Sequence, residues 1–289
     1  MLLRARAPAK VNLTLHVLGR RADGFHELDS LVAFAGCAAD ALTLETGRAL
    51  ALGAVDGPFA AAAGPDGDNL VLKAARAAQE RIEGLTLGRF SLTKRIPVAA
   101  GLGGGSADAG AALRLIAEAN GLRPDDPRLV EAAEATGSDV AVCLVSRAAM
   151  MRGRGESVTP VAMAPVAAVL ANPLKPLSTV AVYKALKLAA GEAFDGAPSP
   201  VPAEGGVDGA LGAVARGRND LEPPACAFEP AVRVGISALG ASEGCRLARM
   251  SGSGATVFGL FDDLRAARRA SRALAAALPG WWLRPTTLR

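Results

Sequence analysis

The stretch PVAAGLGGGSADAG, Pro97 to Gly110, decides how this chain is read. It holds five glycines, three of them consecutive from Gly103 to Gly105. Before it, RFSLTKRI alternates like a strand; after it, SADAGAALRLIAEANGL has helical spacing and ends at Gly121. The order is strand, glycine loop, helix N-terminus. Backbone N–H groups without a Cβ in the way can close around a phosphate, and the helix dipole favours the anion by roughly 0.3–1 kcal/mol. Ser106 stands where an N-cap is expected and could cap the helix or face a phosphate or metal. A tight strand-to-helix turn needing positive φ is the plainer alternative. No Gly-Lys-Ser/Thr follows the glycines, so the loop is not a Walker A loop, and it fits the dinucleotide fingerprint poorly.

Composition narrows the classes. The chain has 289 residues, 51% hydrophobic and 21% charged, enough for one large or two medium domains with a sizeable core. The net charge of +4 comes from scattered arginines with no aromatic-interleaved basic run, so nucleic-acid binding is not implied. Cys37, Cys143, Cys226 and Cys245 lack metal-ligand spacing and only two histidines exist, which argues against structural zinc. With no signal-like N-terminus and no apolar run of about 18–20 residues, a cytoplasmic protein without membrane contact is expected.

Along the chain, Lys10 to Val17 alternates: Val11, Leu13, Leu15 and Val17 on one parity, Lys10, Asn12, Thr14 and His16 on the other. Periodicity alone reads the second set as a solvated strand face. GRRADG, Gly19 to Gly24, is a turn that delivers Phe25 and His26. Residues 31–52 suggest a further strand or two. Asp68 or Asn69 caps an amphipathic helix, LVLKAARAAQERI. Lys94 interrupts the apolar parity of Phe90, Leu92 and Ile96, and either snorkels out or meets an anion near the glycine loop. Helices are expected over 127–135 and after Asp139, which reads as a cap. A domain boundary is placed near Gly155, giving domains 1–155 and 156–289. A buried strand over 165–173 and a helix beginning near Ser178 or Thr179 follow. Residues 189–217 read as a mobile loop with at most one short helix, and NDLEPPA, from Asn219, as a capped helix start. RLARMSGSGATVFGLF, Arg246 to Phe261, is strand, glycine turn, strand; a helix over 262–278 sets Leu264, Ala267, Ser271, Leu274 and Leu278 against an arginine face.

Three separated stretches, PAKVNLTLHVLGRRADGFHELDSL, PVAAGLGGGSADAG and MSGSGATVF, together resemble the three motifs of the GHMP kinase superfamily, from Ala7 to Phe261. PAKVNL, RADGFHEL and GSDV are similar to the branch that acts on 4-diphosphocytidyl-2-C-methylerythritol. The resemblance implies an α/β (α+β) protein of two domains. The first binds ATP, the second is ferredoxin-like, and the active site lies in the cleft between them. It implies transfer of the ATP γ-phosphoryl group to the substrate 2-hydroxyl in the non-mevalonate isoprenoid precursor pathway. The alternatives are a small-alcohol kinase of homoserine or mevalonate type and a catalytically silent nucleotide-binding regulator.

By the same resemblance, Asp139 accepts the proton of the attacking hydroxyl while Lys10 keeps it ionised and offsets developing charge. ATP falls to Asn69, Leu70, Lys94, Pro97, Gly101, Leu102, Gly103, Gly104, Gly105 and Ser106. The cytidyl substrate falls to Asn12, Phe25, His26, Thr179 and Tyr183, with Phe25 and Tyr183 on opposite faces of the cytosine. Mg²⁺ is expected with ATP, held mainly by phosphate and water; the sequence shows no metal cage, and Ser106 is a candidate ligand only. A monomer or weak homodimer is expected. Two features depart from the pattern. After the glycines some relatives carry Ser-Ser or Ser-Asn where this chain has Ser106-Ala107-Asp108, one hydroxyl fewer, and residues 189–217 resemble nothing specific.

Overall fold

A computed structural model describes residues 1–63, 69–194, 196–202 and 206–289. In chain order its elements begin with β1 (Leu2–Asn12), β2 (His16–Arg20), β3 (His26–Thr46), β4 (Ala51–Asp56), α1 (Leu70–Arg81) and β5 (Gly88–Thr93). Next come α2 (Gly104–Ala119), α3 (Pro127–Thr136), α4 (Val140–Val145), β6 (Ala149–Gly153), β7 (Ser157–Pro160), β8 (Val166–Asn172) and α5 (Thr179–Lys184). The remainder is α6 (Gly206–Arg216), α7 (Glu222–Phe228), α8 (Pro230–Gly240), β9 (Cys245–Met250), β10 (Val257–Phe261), α9 (Leu264–Ala277) and β11 (Trp282–Leu288). Among the described residues no helix is long and apolar enough to cross a membrane.

The chain forms two compact units that interleave in sequence. The first takes residues 1–10, 38–98 and 103–147. In it the last part of β3 pairs antiparallel with β5, from Ala41 opposite Thr93 to Thr46 opposite Gly88, and β4 lies parallel to β5. α1 and α4 pack on α2, and α3 on α1. Asn69 caps α1 by accepting from Val71 N–H at 3.0 Å, and Asp126 caps α3, whose first residue is Pro127.

The second unit takes residues 11–37, 99–102 and 148–289. β2 and the start of β3 form a hairpin, and β6 lines up along β3 with Leu28 opposite Gly153. β8 runs between β11 and β10, with β9 beyond β10, all antiparallel. Helices α8 and α9 cover this sheet, burying Val232, Leu239, Ala267 and Leu274 against Val169, Ala171, Val257 and Phe261.

Several expectations are corrected. The polar parity of the first motif is not solvated: Lys10, Asn12, Thr14 and His16 are all buried, and the strand breaks between Asn12 and His16. The strand or two expected over 31–52 are β3, which begins earlier at His26, and β4. Ser106 does not cap α2; Gly103, left-handed at φ 58°, does so without a side-chain bond. Part of the 189–217 stretch is tethered: His16 Nδ1 donates to Ala197 O at 2.8 Å, and the Thr14 and Ser199 hydroxyls meet at 2.5 Å. The helix in that stretch, α6, has 11 residues, whereas Asp195 and residues 203–205 lie outside the described residues. So does Asp68, the other candidate cap of α1. Two elements went unread: α8, and β11, which pairs with β8 and, at Leu288, with β3.

Candidate active site

In the first unit the head of α2 gathers the site. The first intrahelical bond is Ala107 N–H to Gly103 O at 2.8 Å, so the amides of 104–106 precede it and point off the helix end. What lies beneath the three glycines is legible from the room a Cβ would have. At Gly103 it would meet Lys10 Cε at 3.3 Å and Asp139 Oδ2 at 3.6 Å. At Gly104 it would meet Lys94 Nζ at 3.5 Å, and at Gly105 Leu70 Cδ1 at 3.3 Å. Lys10, Asp139, Lys94, Leu70 and the three glycines are therefore brought together.

Lys10 leaves β1 buried and reaches Asp139 Oδ2 with its Nζ at 2.8 Å. Asp139 heads α4, but its carboxylate makes no cap bond; it is turned to Lys10 and its side chain is 32% exposed. A half-accessible carboxylate tied to one buried ammonium beside an array of outward amides can accept a proton from an incoming hydroxyl. Behind it, Cys143 is buried in α4, and burial, with Asp139 adding to it, pushes its thiol up to about 12, so it stays protonated. Arg114 of α2 fixes the other end of α4, donating to Cys143 O at 2.5 Å, and its guanidinium also reaches Arg6 O at 2.8 Å.

Lys94 neither snorkels nor is left with open donors for a phosphate on all sides. Its Nζ lies 2.5 Å from Asp40 Oδ2 and 2.7 Å from Asp108 Oδ2, all three side chains buried. Asp40 Oδ1 also accepts from the backbone of Arg95 and Ile96, closing the turn into the glycine loop. Burial lowers a lysine's affinity for its proton, but the two carboxylates outweigh it and Lys94 is raised. Asp108 moves the other way from a normal carboxylate: burial and Asp40 push it up to about 8 against the pull of Lys94. One ammonium faces two buried carboxylates, which favours the protonated form of Asp108.

In the second unit the glycine turn of the third motif clamps residues 99–102. Ser251 Oγ donates to Gly101 O at 2.9 Å and Thr256 N–H to Ala100 O at 3.1 Å. Gly101 sits at φ 73°, and a Cβ there would lie 2.5 Å from Ser251 O, so only glycine fits. Asn12 N–H donates to Ser251 Oγ at 3.1 Å and its Nδ2 to Ser30 Oγ at 2.8 Å, leaving Oδ1 buried without a partner. Asn219 supports the same turn, donating to Met250 O and Gly252 O at 2.9 Å each. Thr179 meets the Ser253 hydroxyl at 2.7 Å. Pro97 and Leu102 are buried, and the Asn69 side chain serves as a cap.

The aromatic residues of the same unit make a second cluster. Phe25 is 53% exposed. The His26 and Tyr183 rings stand 4.7 Å apart, tilted by 38°. Partial burial, then Arg20, lowers the His26 pKa, which favours the neutral ring. Tyr183 thus packs on His26, a contact the chain's spacing did not indicate. Three further residues were not assigned to the site: Asp40, Asp108, noted only beside Ala107, and Asn219, read only as a helix start. Their partners are far away in sequence or are backbone atoms, and no periodicity marks them.

The chain is similar to known proteins of one kinase family over its whole length. Residues 69–147 match the GHMP kinases N terminal domain and residues 209–280 the GHMP kinases C terminal model. The chain is 56% identical, over 99% of both chains, to a 4-diphosphocytidyl-2-C-methyl-D-erythritol kinase of Methylorubrum extorquens (strain PA1). This chain belongs to the 4-diphosphocytidyl-2-C-methyl-D-erythritol kinases of the GHMP family. The kinase of that name from Methylobacterium radiotolerans is also 56% identical, covering 100% of this chain and 99% of its own. A crystal structure of a 4-(cytidine 5'-diphospho)-2C-methyl-D-erythritol kinase matches with a TM-score of 0.75 at 36% identity, over 99% of both chains. As a GHMP kinase the chain is a phosphotransferase that uses ATP. The N-terminal match begins at Asn69, the cap of α1, and ends just beyond α4, so it takes in the glycine head of α2 and Asp139.

Proposed function

We propose that this kinase transfers the γ-phosphoryl group of ATP to the 2-hydroxyl of 4-diphosphocytidyl-2-C-methyl-D-erythritol, a step of isoprenoid precursor synthesis. Asp139 acts as the base and Lys10 as its cationic partner. The observation that carries the reading is the Lys10–Asp139 pair at 2.8 Å against Gly103.

The hydroxyl oxygen forms a bond to the γ-phosphorus as the bond from that phosphorus to the β,γ-bridging oxygen breaks, and ADP leaves. The hydroxyl proton passes to Asp139. Because the transition state is loose, the proton departs late and a carboxylate is a sufficient acceptor. Lys10 orients that carboxylate and offsets charge at the attacking oxygen. The outward amides of 104–106 hold the phosphates, and residues 101–106 with Asn69, Leu70 and Lys94 border the nucleotide. Lys94 contributes from below, since two of its three donors are taken by Asp40 and Asp108.

Among the described residues no group of three His, Cys, Asp or Glu side chains could hold a metal ion. Mg²⁺ would enter with the nucleotide, carried mainly by its phosphates and by water, and would neutralise phosphate charge. Phe25, His26 and Tyr183 supply two stacking rings and a neutral imidazole for a cytosine, while Asn12 and Thr179 take polar groups of the substrate. An aliphatic acceptor has no use for that cluster.

ADP release from MgATP, measured separately with the cytidyl alcohol, mevalonate and homoserine, tests the reading. Turnover with the cytidyl compound alone is expected. Turnover with an aliphatic alcohol instead would overturn the cytidine assignment and leave the phosphate site standing.

A further inference from the structure

The turn over residues 153–156 brings a cation onto Phe25 that the proposed mechanism does not use. The sheet register places it there: β6 pairs with β3 so that Gly153 faces Leu28, which sets the residue after Gly153 beside the residues before Leu28. The Arg154 guanidinium carbon lies 5.0 Å from the centroid of the Phe25 ring, within cation–π range. Both partners are built in. Phe25 N–H donates to Asp23 Oδ1 at 3.1 Å, and Phe25 O accepts from Arg21 N–H at 2.7 Å. Arg21 in turn donates to Asp23 and to Glu27, at 3.2 and 2.9 Å. Arg154 N–H donates to Glu156 Oε2 at 2.5 Å, fixing its own turn. An exposed aromatic ring at a hairpin tip is thus held at its backbone and covered on one face by a cation.

We infer that Arg154 is a positioning residue for the substrate base: it covers one face of Phe25 and locks the ring so that the free face is presented to a pyrimidine. This rests on the reading of Phe25 as a base-stacking residue. A ring fixed before binding loses less rotamer freedom on capture, so the gain falls on substrate affinity and not on the transfer step.

The test is a double-mutant cycle on the purified full chain, with KM for the cytidyl alcohol, KM for ATP and kcat measured for each variant. Cytidine 5'-diphosphate binding by calorimetry serves as a readout independent of turnover. Arg154→Met keeps length and apolar contact but removes the charge; it should raise KM for the cytidyl alcohol and Kd for cytidine diphosphate roughly two- to fivefold. kcat and the ATP KM should stay as in the unaltered chain. Arg154→Lys should restore most of the loss. In a Phe25→Ala background, Arg154→Met should have no further effect, because its action passes through the ring. An equal loss in both backgrounds would show that Arg154 touches the ligand directly and overturn the inference. So would an Arg154→Met variant indistinguishable from the unaltered chain while Phe25→Ala is impaired. If Phe25→Ala leaves the substrate KM unchanged, the stacking reading itself is wrong.

Discussion

Replacing Gly110 by alanine should slow phosphoryl transfer as well as destabilise the fold. Gly110 lies in the middle of α2, where that helix meets the backbone of α4. A Cβ there would stand 2.6 Å from the Cys143 carbonyl carbon, 2.7 Å from its oxygen and 2.8 Å from Leu144 N. Carbon atoms prefer about 3.5–4.0 Å, so α4 must retreat by roughly 0.9 Å. It cannot do so freely, because Arg114 ties its carbonyls to α2 and its guanidinium also holds Arg6 O. The retreat carries Asp139 along, and the 2.8 Å bond to Lys10 then stretches past hydrogen-bonding distance. A misplacement of about 1 Å costs up to roughly 100-fold in rate. We expect kcat to fall roughly 10- to 100-fold. Overpacking costs about 1–3 kcal/mol, and alanine in a helix returns about 1 kcal/mol, so the net loss of stability should be at most about 2 kcal/mol. Steady-state kinetics and thermal unfolding on the same samples read both. Gly212→Ala in α6 is the control: its Cβ meets only the tip of Arg216 at 3.4 Å, and it should be neutral or stabilising. A Gly110→Ala enzyme with full kcat and a lowered Tm would refute the claim that α4 aims the base.

Two pH dependences of opposite sign follow from the buried titrating groups. His16 Nδ1 donates to Ala197 O and its Nε2 accepts from Arg218 N–H, which requires the neutral ring, and burial holds its pKa below the ordinary value. The folded chain then binds fewer protons than the unfolded one, so stability is complete above about pH 6.5 and is lost as pH falls through the folded value; His16→Gln should flatten that limb of Tm against pH. Asp108, pushed up to about 8, keeps a proton that the unfolded chain has lost, so its contribution is full below about pH 4 and declines as pH rises through 8. Asp108→Asn should abolish that decline, and an unchanged alkaline slope would mean that Asp108 is ionised in the fold.

The glycine loop, α1, α2 and the strand before the loop were legible because local signals agreed: Asn69 as a cap, alternating Phe90 and Leu92, three glycines ahead of a small-residue helix. The polarity of Lys10, Asn12, Thr14 and His16 misled because both sides of that segment are covered, and alternation reports burial only when one face meets water. β11 was missed because Pro285 weakens the signal of a short strand run; it lies opposite Val169 of β8, and β3 joins β11 only further on, at Leu288. The Lys94 triad was invisible because Asp40 and Asp108 stand 54 and 14 residues away in sequence. The resemblance placed Lys10 and Asp139 at one site; their direct pairing, and the fact that Asp139 gives up its cap bond for Lys10, needed coordinates.

The most direct test of the account is the rate of a single phosphoryl transfer in Asp139→Asn, with binding of MgATP and of the cytidyl alcohol measured on the same protein. The account predicts both dissociation constants within about threefold of the unaltered chain and a transfer rate lower by roughly 10²- to 10⁴-fold, the range for loss of a general base. A transfer rate equal to that of the unaltered chain, with binding intact, would contradict it.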